Sequence, residues 1–178
     1  MLTRAEFAQT GQSPDVIDIA MIAAFKVALQ SKDPSSQTGA VILGQTGDII
    51  GVGFNGTPRG VKDTKPRRTD RETKLRFYEH AERRAIAQAA RLGQATYRAC
   101  LVSPWVGCTE CDRMIIESGI RHVVRFPVVY GDDHWGESIR FGDELMREAG
   151  VTVYEDTFDH LSLPPLRRGG KSWIPGEQ

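Results

Sequence analysis

Four residues in two short stretches carry the strongest chemistry in the chain. His80-Ala81-Glu82 and Cys108-Thr109-Glu110-Cys111 together offer one imidazole, two thiols and a carboxyl. An imidazole and two thiolates make a zinc donor set. Three protein donors leave a fourth position open, which is the arrangement of a catalytic zinc and not of a closed structural one. Both stretches open predicted helices, whose N-terminal partial positive charge favours thiolate over thiol. Glu82 stands about 200° round a helix from His80, so in the first turn it flanks the metal without ligating it and suits proton transfer.

Taken singly, each stretch has a plainer reading. A Cys-x-x-Cys is also a redox pair or half of a structural zinc site, and a His-x-Glu is also an ordinary helix start. A redox pair would leave His80 and Glu82 idle, and a structural zinc would need a fourth ligand near them. Together the four residues fit a hydrolase that removes an amine from an amidine carbon. Glu82 would take a proton from the attacking water, pass it to the ring nitrogen and help the amine leave as ammonia. A zinc-stabilised binding module would have no use for Glu82. The third cysteine, Cys100, is flanked by apolar residues in a predicted strand and reads as a small buried side chain.

The elements that must position these residues follow from periodicity and punctuation. Ser13-Pro14-Asp15 caps an amphipathic helix carrying Val16, Ile17, Ile19, Ala20, Ala23, Ala24 and Val27, which runs to about Ser31. The apolar runs 39–43 and 49–54 flank Gln45-Thr46-Gly47-Asp48 and predict a hairpin. Residues 55–78 lack a sustained apolar period and read as one long loop, a length that itself suggests function. Beyond it come a helix over 79–91, a strand over 97–103, a helix over 108–118, a strand over 121–126, a helix over 137–149 and a strand over 151–154. This order predicts a three-layer α/β/α sandwich around a mixed sheet of about five strands, in one domain spanning 1–178. Its catalytic core would cover about 14–155, with an N-terminal extension over 1–13 and a C-terminal tail over 156–178.

Composition bounds the partners. The 178 residues hold 23 Lys and Arg against 23 Asp and Glu, so no global field draws the chain to a polynucleotide. No stretch approaches the ~18 apolar residues of a membrane helix and the first residues lack a signal-peptide core, so the cytoplasm is the expected compartment. Lys62, Lys65, Arg67, Arg68, Arg71, Lys74 and Arg76 form a local basic cluster. Asp63, Asp70 and Glu72 dilute it, and it reads as a solvated or subunit-facing loop.

The stretches Ser31-Lys32-Asp33-Pro34-Ser35-Ser36-Gln37-Thr38-Gly39-Ala40 and Gly53-Phe54-Asn55-Gly56-Thr57-Pro58-Arg59-Gly60 make the chain resemble the deoxycytidylate deaminase family over about residues 16–154. The second is similar to the family's glycine-rich Gly-Tyr-Asn-Gly-x-Pro-x-Gly loop and discriminates better than the zinc pattern, which the wider cytidine deaminase superfamily shares. The resemblance implies a cytidine deaminase-like fold, Zn2+ as cofactor and conversion of dCMP to dUMP and ammonia. It also implies a homo-oligomer and regulation by dCTP and dTTP. Asn55 would bond the substrate sugar, and the backbone at Thr38, Gly39 and Ala40 would line the base pocket. Lys32 and Arg59 are candidates for the phosphate. Trp105, near the metal, would either stack on the substrate ring or pack on the core.

Three departures from the pattern stand out. Gly107 precedes Cys108 where the family has proline, Arg84 replaces an asparagine, and Phe54 replaces a tyrosine. Residues 135–151 resemble bacterial and phage relatives known only broadly as nucleotide deaminases. The alternatives are therefore a 5-modified dCMP, dCTP or a purine nucleotide as substrate, with an RNA-editing deaminase disfavoured by the zero net charge.

Overall fold

Ser13 accepts a hydrogen bond from the Val16 amide and Pro14 takes the first helical position, so α1 begins where the sequence predicts and spans Pro14–Ala28. The computed structural model describes residues 3–105, 107–128 and 135–174. β1 (Gly39–Leu43) and β2 (Ile49–Phe54) pair antiparallel as the expected hairpin. β1 is buried along its whole length, and its alternation divides the core. Val41 and Leu43 join α1, while Ala40 and Ile42 face the helices of the opposite layer.

The opposite layer holds α4 (Ala81–Arg91), α5 (Thr109–Glu117) and α6 (Gly136–Glu148). Between these helices run β3 (Cys100–Val102), β4 (His122–Arg125) and, last, β5 (Thr152–Glu155). The sheet order is β2-β1-β3-β4-β5. β1 is antiparallel to both neighbours, and β3, β4 and β5 run parallel. Five mixed strands between two helical layers match the expected sandwich, and Cys100 is buried as expected.

Glycines set the helices close to the sheet. A Cβ on Gly53 would lie 2.2 Å from the Ala81 carbonyl oxygen, and one on Gly51 would lie 2.6 Å from that of Ala85. Backbone thus meets backbone where α4 crosses β2, at the end of α4 that carries His80 and Glu82. Gly39 does the same for α1, with 2.1 Å to the Ala24 oxygen.

Three expectations are corrected. First, α1 ends at Ala28 and not near Ser31; the Ser31 amide closes on the Ala28 carbonyl and turns the chain toward the site. Second, 55–78 is not a loop. It contains α2 (Lys65–Thr69), opened by Pro66, and α3 (Arg71–Phe77), whose first turn Asp70 caps through the Thr73 amide at 2.9 Å. Third, the expected tail folds: β6 (Leu166–Arg168) and β7 (Lys171–Trp173) make a hairpin through Gly169 and Gly170, both with positive φ. Residues 175–178 of that tail lie outside the described residues. The N-terminal segment also contributes, for Arg4–Thr10 forms a 3-10 turn whose Phe7 is fully buried.

One buried cation ties the layers together. Arg125, 1% exposed at the end of β4, bonds Asp143 of α6 at 2.8 Å and Glu155 of β5 at 3.0 Å.

Candidate active site

His80 and Cys108 occupy the same structural position, the N-cap of α4 and of α5, both with extended backbone. Cys111 follows one turn into α5, so the two helix starts converge on three donor atoms. His80 Nδ1 lies 3.5 Å from Cys108 Sγ and 3.4 Å from Cys111 Sγ, and the sulfurs are 3.7 Å apart. A tetrahedral zinc with Zn–S near 2.3 Å and Zn–N near 2.0–2.1 Å has donor edges of about 3.8 Å between sulfurs and about 3.5 Å between sulfur and nitrogen. The donor triangle therefore fits zinc in size as well as in chemistry, and no other group of three or more possible metal ligands occurs among the described residues.

The electrostatics agree with that fit. Hydrogen bonds from Cys111 and His80 hold the Cys108 thiol far below its usual range, to about 3, whereas the same contact with Cys108, together with burial and the Glu82 charge, pushes Cys111 up. Two thiols this close share one proton, and a divalent cation between them would displace it. Glu82 is 3% exposed, and its Oε2 lies 3.6 Å from Cys111 Sγ. Burial raises its carboxyl above the ordinary range. A carboxyl placed so can hold a proton as well as accept one, as repeated proton transfer requires.

These groups lie at one side of a cavity of about 700 Å3, ample for a nucleotide. Asn55 and Thr38 line it, although Asn55 is already heavily engaged. Its Oδ1 accepts from the Thr38 amide at 3.0 Å, and its Nδ2 donates to Ser36 O at 2.8 Å and Asp33 Oδ2 at 3.2 Å. With both amide hydrogens committed, only an acceptor site on Oδ1 is left for a sugar hydroxyl. The Thr38 hydroxyl is buried with no hydrogen-bond partner among the described residues.

Gly39, Ala40, Lys32 and Arg59 do not line the cavity. Gly39 and Ala40 serve helix packing, against α1 and within the α4 layer. Lys32 is exposed and 4.0 Å from Asp63, and Arg59 is exposed. Trp105 lines the cavity wall, but Trp173 stacks on its ring at 4.6 Å, the Arg168 guanidinium lies 4.4 Å from its centre, and its indole N–H donates to Gln37 O at 3.2 Å. Of the two expectations for Trp105, packing within the chain is the one these contacts favour.

Other wall residues escaped sequence reasoning. Asp33, 4% exposed, accepts from the Ser35 and Ser36 amides, Asn55 and Lys74 Nζ, the last at 3.1 Å, and so joins α3 to the loop before β1. Its signal was the Asp-Pro-Ser-Ser run, a turn signature. Arg71, Lys74 and Tyr78 reach the cavity from or just after α3, which makes the basic segment a site wall. Burial and the nearby Asp63 and Asp33 push the Tyr78 hydroxyl up to about 12, so it stays protonated and able to donate.

Arg84 pins the glycine-rich loop. Its guanidinium bonds the Gly56 carbonyl at 3.0 Å and that of Thr57, and lies 4.6 Å from the centre of the Phe54 ring. The two departures at Phe54 and Arg84 thus meet in one contact. At the third, a Cβ on Gly107 would lie 2.4 Å from Asp112 Oδ1, so a proline here would require the Asp112 side chain to shift. Asp112 is buried with neither carboxylate oxygen hydrogen-bonded among the described residues, and burial and the nearby Glu82 push its carboxyl up to about 8.

A three-layer sandwich in which two helix N-termini bring together three donors that could hold a metal, with a buried carboxyl beside them and a nucleotide-sized cavity, fits a hydrolase of the deaminase kind. Comparison with known proteins gives the family. Residues 16–126 match the cytidine and deoxycytidylate deaminase zinc-binding region, and the chain belongs to that family. It is 37% identical to deoxycytidylate deaminase of Mus musculus over 165 residues, which covers 83% of this chain and 88% of the mouse protein. It is 39% identical over 128 residues to an uncharacterized deaminase of Aliivibrio fischeri, covering 69% of this chain and 81% of the other. Among solved structures, dCMP deaminase from the cyanophage S-TIM5 in complex with dCMP and dUMP shares the fold. Its TM-score is 0.65 at 22% identity, over 82% of this chain and 99% of the phage chain. No described helix is long and apolar enough to cross a membrane.

Proposed function

We propose that this chain hydrolyses the exocyclic amine of dCMP, with water replacing the C4 amino group to give dUMP and ammonia. The observation that carries the reading is the donor triangle of His80, Cys108 and Cys111, at zinc-sized spacing, with the buried Glu82 carboxyl 3.6 Å from Cys111. Zinc, when bound, supplies Lewis acidity that makes water a nucleophile near neutral pH.

Glu82 accepts a proton as the water oxygen attacks C4, delivers it to N3, and then moves a second proton to the departing amine, so the C4–N bond breaks with ammonia as leaving group. Its burial keeps bulk water from short-circuiting these transfers. Asn55, held by Thr38, Ser36 and Asp33, presents its remaining acceptor to a sugar hydroxyl. The cytoplasmic nucleotide pool is the setting of such a reaction. The family resemblance implies a homo-oligomer, and dCTP or dTTP effectors, which it also implies, would act through the glycine-rich loop that Arg84 holds.

Ammonia release from a panel of free nucleosides and nucleotides tests the reading. dCMP should be consumed with kcat/KM at least ~10-fold above deoxycytidine, the difference one charged contact supplies. Turnover of purine nucleotides alone would overturn it.

A further inference from the structure

His80 and Cys108 each stand at a helix N-cap, where a side chain ordinarily accepts a hydrogen bond from the first-turn amides, and neither side chain does so. For Cys108 this follows from its place in the donor triangle, because its sulfur turns to His80 Nδ1 at 3.5 Å and to Cys111 Sγ at 3.7 Å. α6 closes the start of α5 instead. The Thr109 amide donates to Ser138 Oγ at 3.0 Å, the Thr109 hydroxyl donates to the Ser138 carbonyl at 2.8 Å, and the two hydroxyl oxygens are 2.8 Å apart. With the Thr109 hydroxyl hydrogen given to the carbonyl, the Ser138 hydroxyl is the donor of the last contact, so each donor in the set is used once.

Ser138 belongs to a stripe. Trp135, Ser138 and Gly142 follow one another at helical spacing and so share one face at the start of α6. The Trp135 ring meets His80 edge-on with centroids 6.3 Å apart. Gly142 makes room for the Asp112 side chain, whose Oδ2 a Cβ at position 142 would overlap. The stripe therefore meets His80 and, through Thr109 and Asp112, the first turn of α5 on either side of Cys111. Asp143, the next residue, bonds Arg125 of β4 at 2.8 Å and anchors α6 to the sheet. All of α6 lies beyond residue 126, where the family match ends.

We propose that Ser138 is a positioning residue of the metal centre: it caps α5 in place of Cys108, which leaves the Cys108 sulfur free to ligate and fixes the first turn that carries Cys111. The proposal rests on the reading of His80, Cys108 and Cys111 as zinc ligands. A sulfur committed to a metal cannot also accept from its own helix, so the cap has to come from another element. Ser138 is the side chain that reaches the Thr109 amide among the described residues.

The test measures zinc itself and needs no turnover. Wild type, Ser138→Ala and Ser138→Thr, each purified with zinc, are titrated with a chromogenic zinc chelator, which reads both the affinity and the rate of metal loss. Ser138→Ala should bind zinc about ten- to a hundredfold more weakly, the range for removing a group that orients a metal ligand, and should lose it correspondingly faster. Ser138→Thr keeps the hydroxyl and should stay within about threefold of the wild type. A serine that served the fold alone would lower the denaturant midpoint and leave the zinc affinity of the folded protein where it was. An affinity in Ser138→Ala within about threefold of the wild type, or equal loss in Ser138→Ala and Ser138→Thr, would overturn the proposal while leaving the zinc site standing. A wild-type protein that takes up no zinc would defeat the metal-site reading, and the role of Ser138 with it.

Discussion

At the residue scale, the grouping of His80, Glu82, Cys108 and Cys111 was legible because their chemistry is unusual and their spacing is local: His-x-Glu and Cys-x-x-Cys each open one helix. The substrate contacts were not, because they depend on which segments meet. Lys32 and Arg59 were plausible by type, yet they do not line the cavity, whereas Arg71, Lys74 and Arg168 do, from segments that read as a loop and a tail. Asn55 was legible as a position and not as a bonding pattern, since its amide hydrogens go to Ser36 and Asp33, some twenty residues away. If the three donors hold the metal together, replacing both thiols should remove it. The purified wild-type protein should carry one zinc per chain by metal analysis, and Cys108→Ala, Cys111→Ala should carry none. Full zinc in that double variant would place the metal elsewhere.

At the scale of elements, strong periodicity and caps predicted every strand of the central sheet and the helices around it to within a few residues. Weak periodicity hid α2, α3 and the β6–β7 hairpin. α3 buries no residue fully and is defined by its Asp70 cap, and the hairpin is signalled only by Gly169-Gly170 between two short runs. Sequence also gave no hint of why β2 contains Gly51 and Gly53, which is the backbone contact with α4. A Gly53→Ala side chain has no room against the Ala81 oxygen and the Ala85 amide, so α4 must shift. The expected cost is about 3 kcal/mol, the upper end for overpacking. Thermal unfolding should show it as a fall in Tm of roughly 6–12 °C for a chain of this size, accompanied by a loss of activity as His80 and Glu82 move with the helix. Unchanged Tm and activity would mean that the close approach is not needed.

At the scale of the whole molecule, the layers are joined by polar as well as apolar contacts, and Arg125 between Asp143 and Glu155 is the clearest of them. Arg125→Met removes that cation from two half-shielded carboxylates and should cost about 3 kcal/mol, near the lower end for breaking a buried pair. Denaturant melts should show the loss as a lower midpoint at unchanged slope, while zinc content stays at one per chain, because α4 and α5 carry all three donors. The fold brings two helix starts together at His80, Cys108 and Cys111 and buries the Glu82 carboxyl beside them, and on the proposed reading that carboxyl is the group on which the reaction depends. The most direct measurement is ammonia release from dCMP by the wild type and by Glu82→Gln at equal zinc content. The wild type should yield one ammonia per dUMP formed, and the glutamine variant should be slower by at least ~100-fold, as expected when one group serves several proton transfers. A zinc-loaded Glu82→Gln protein that kept more than about a tenth of the wild-type rate would show that another group moves the protons.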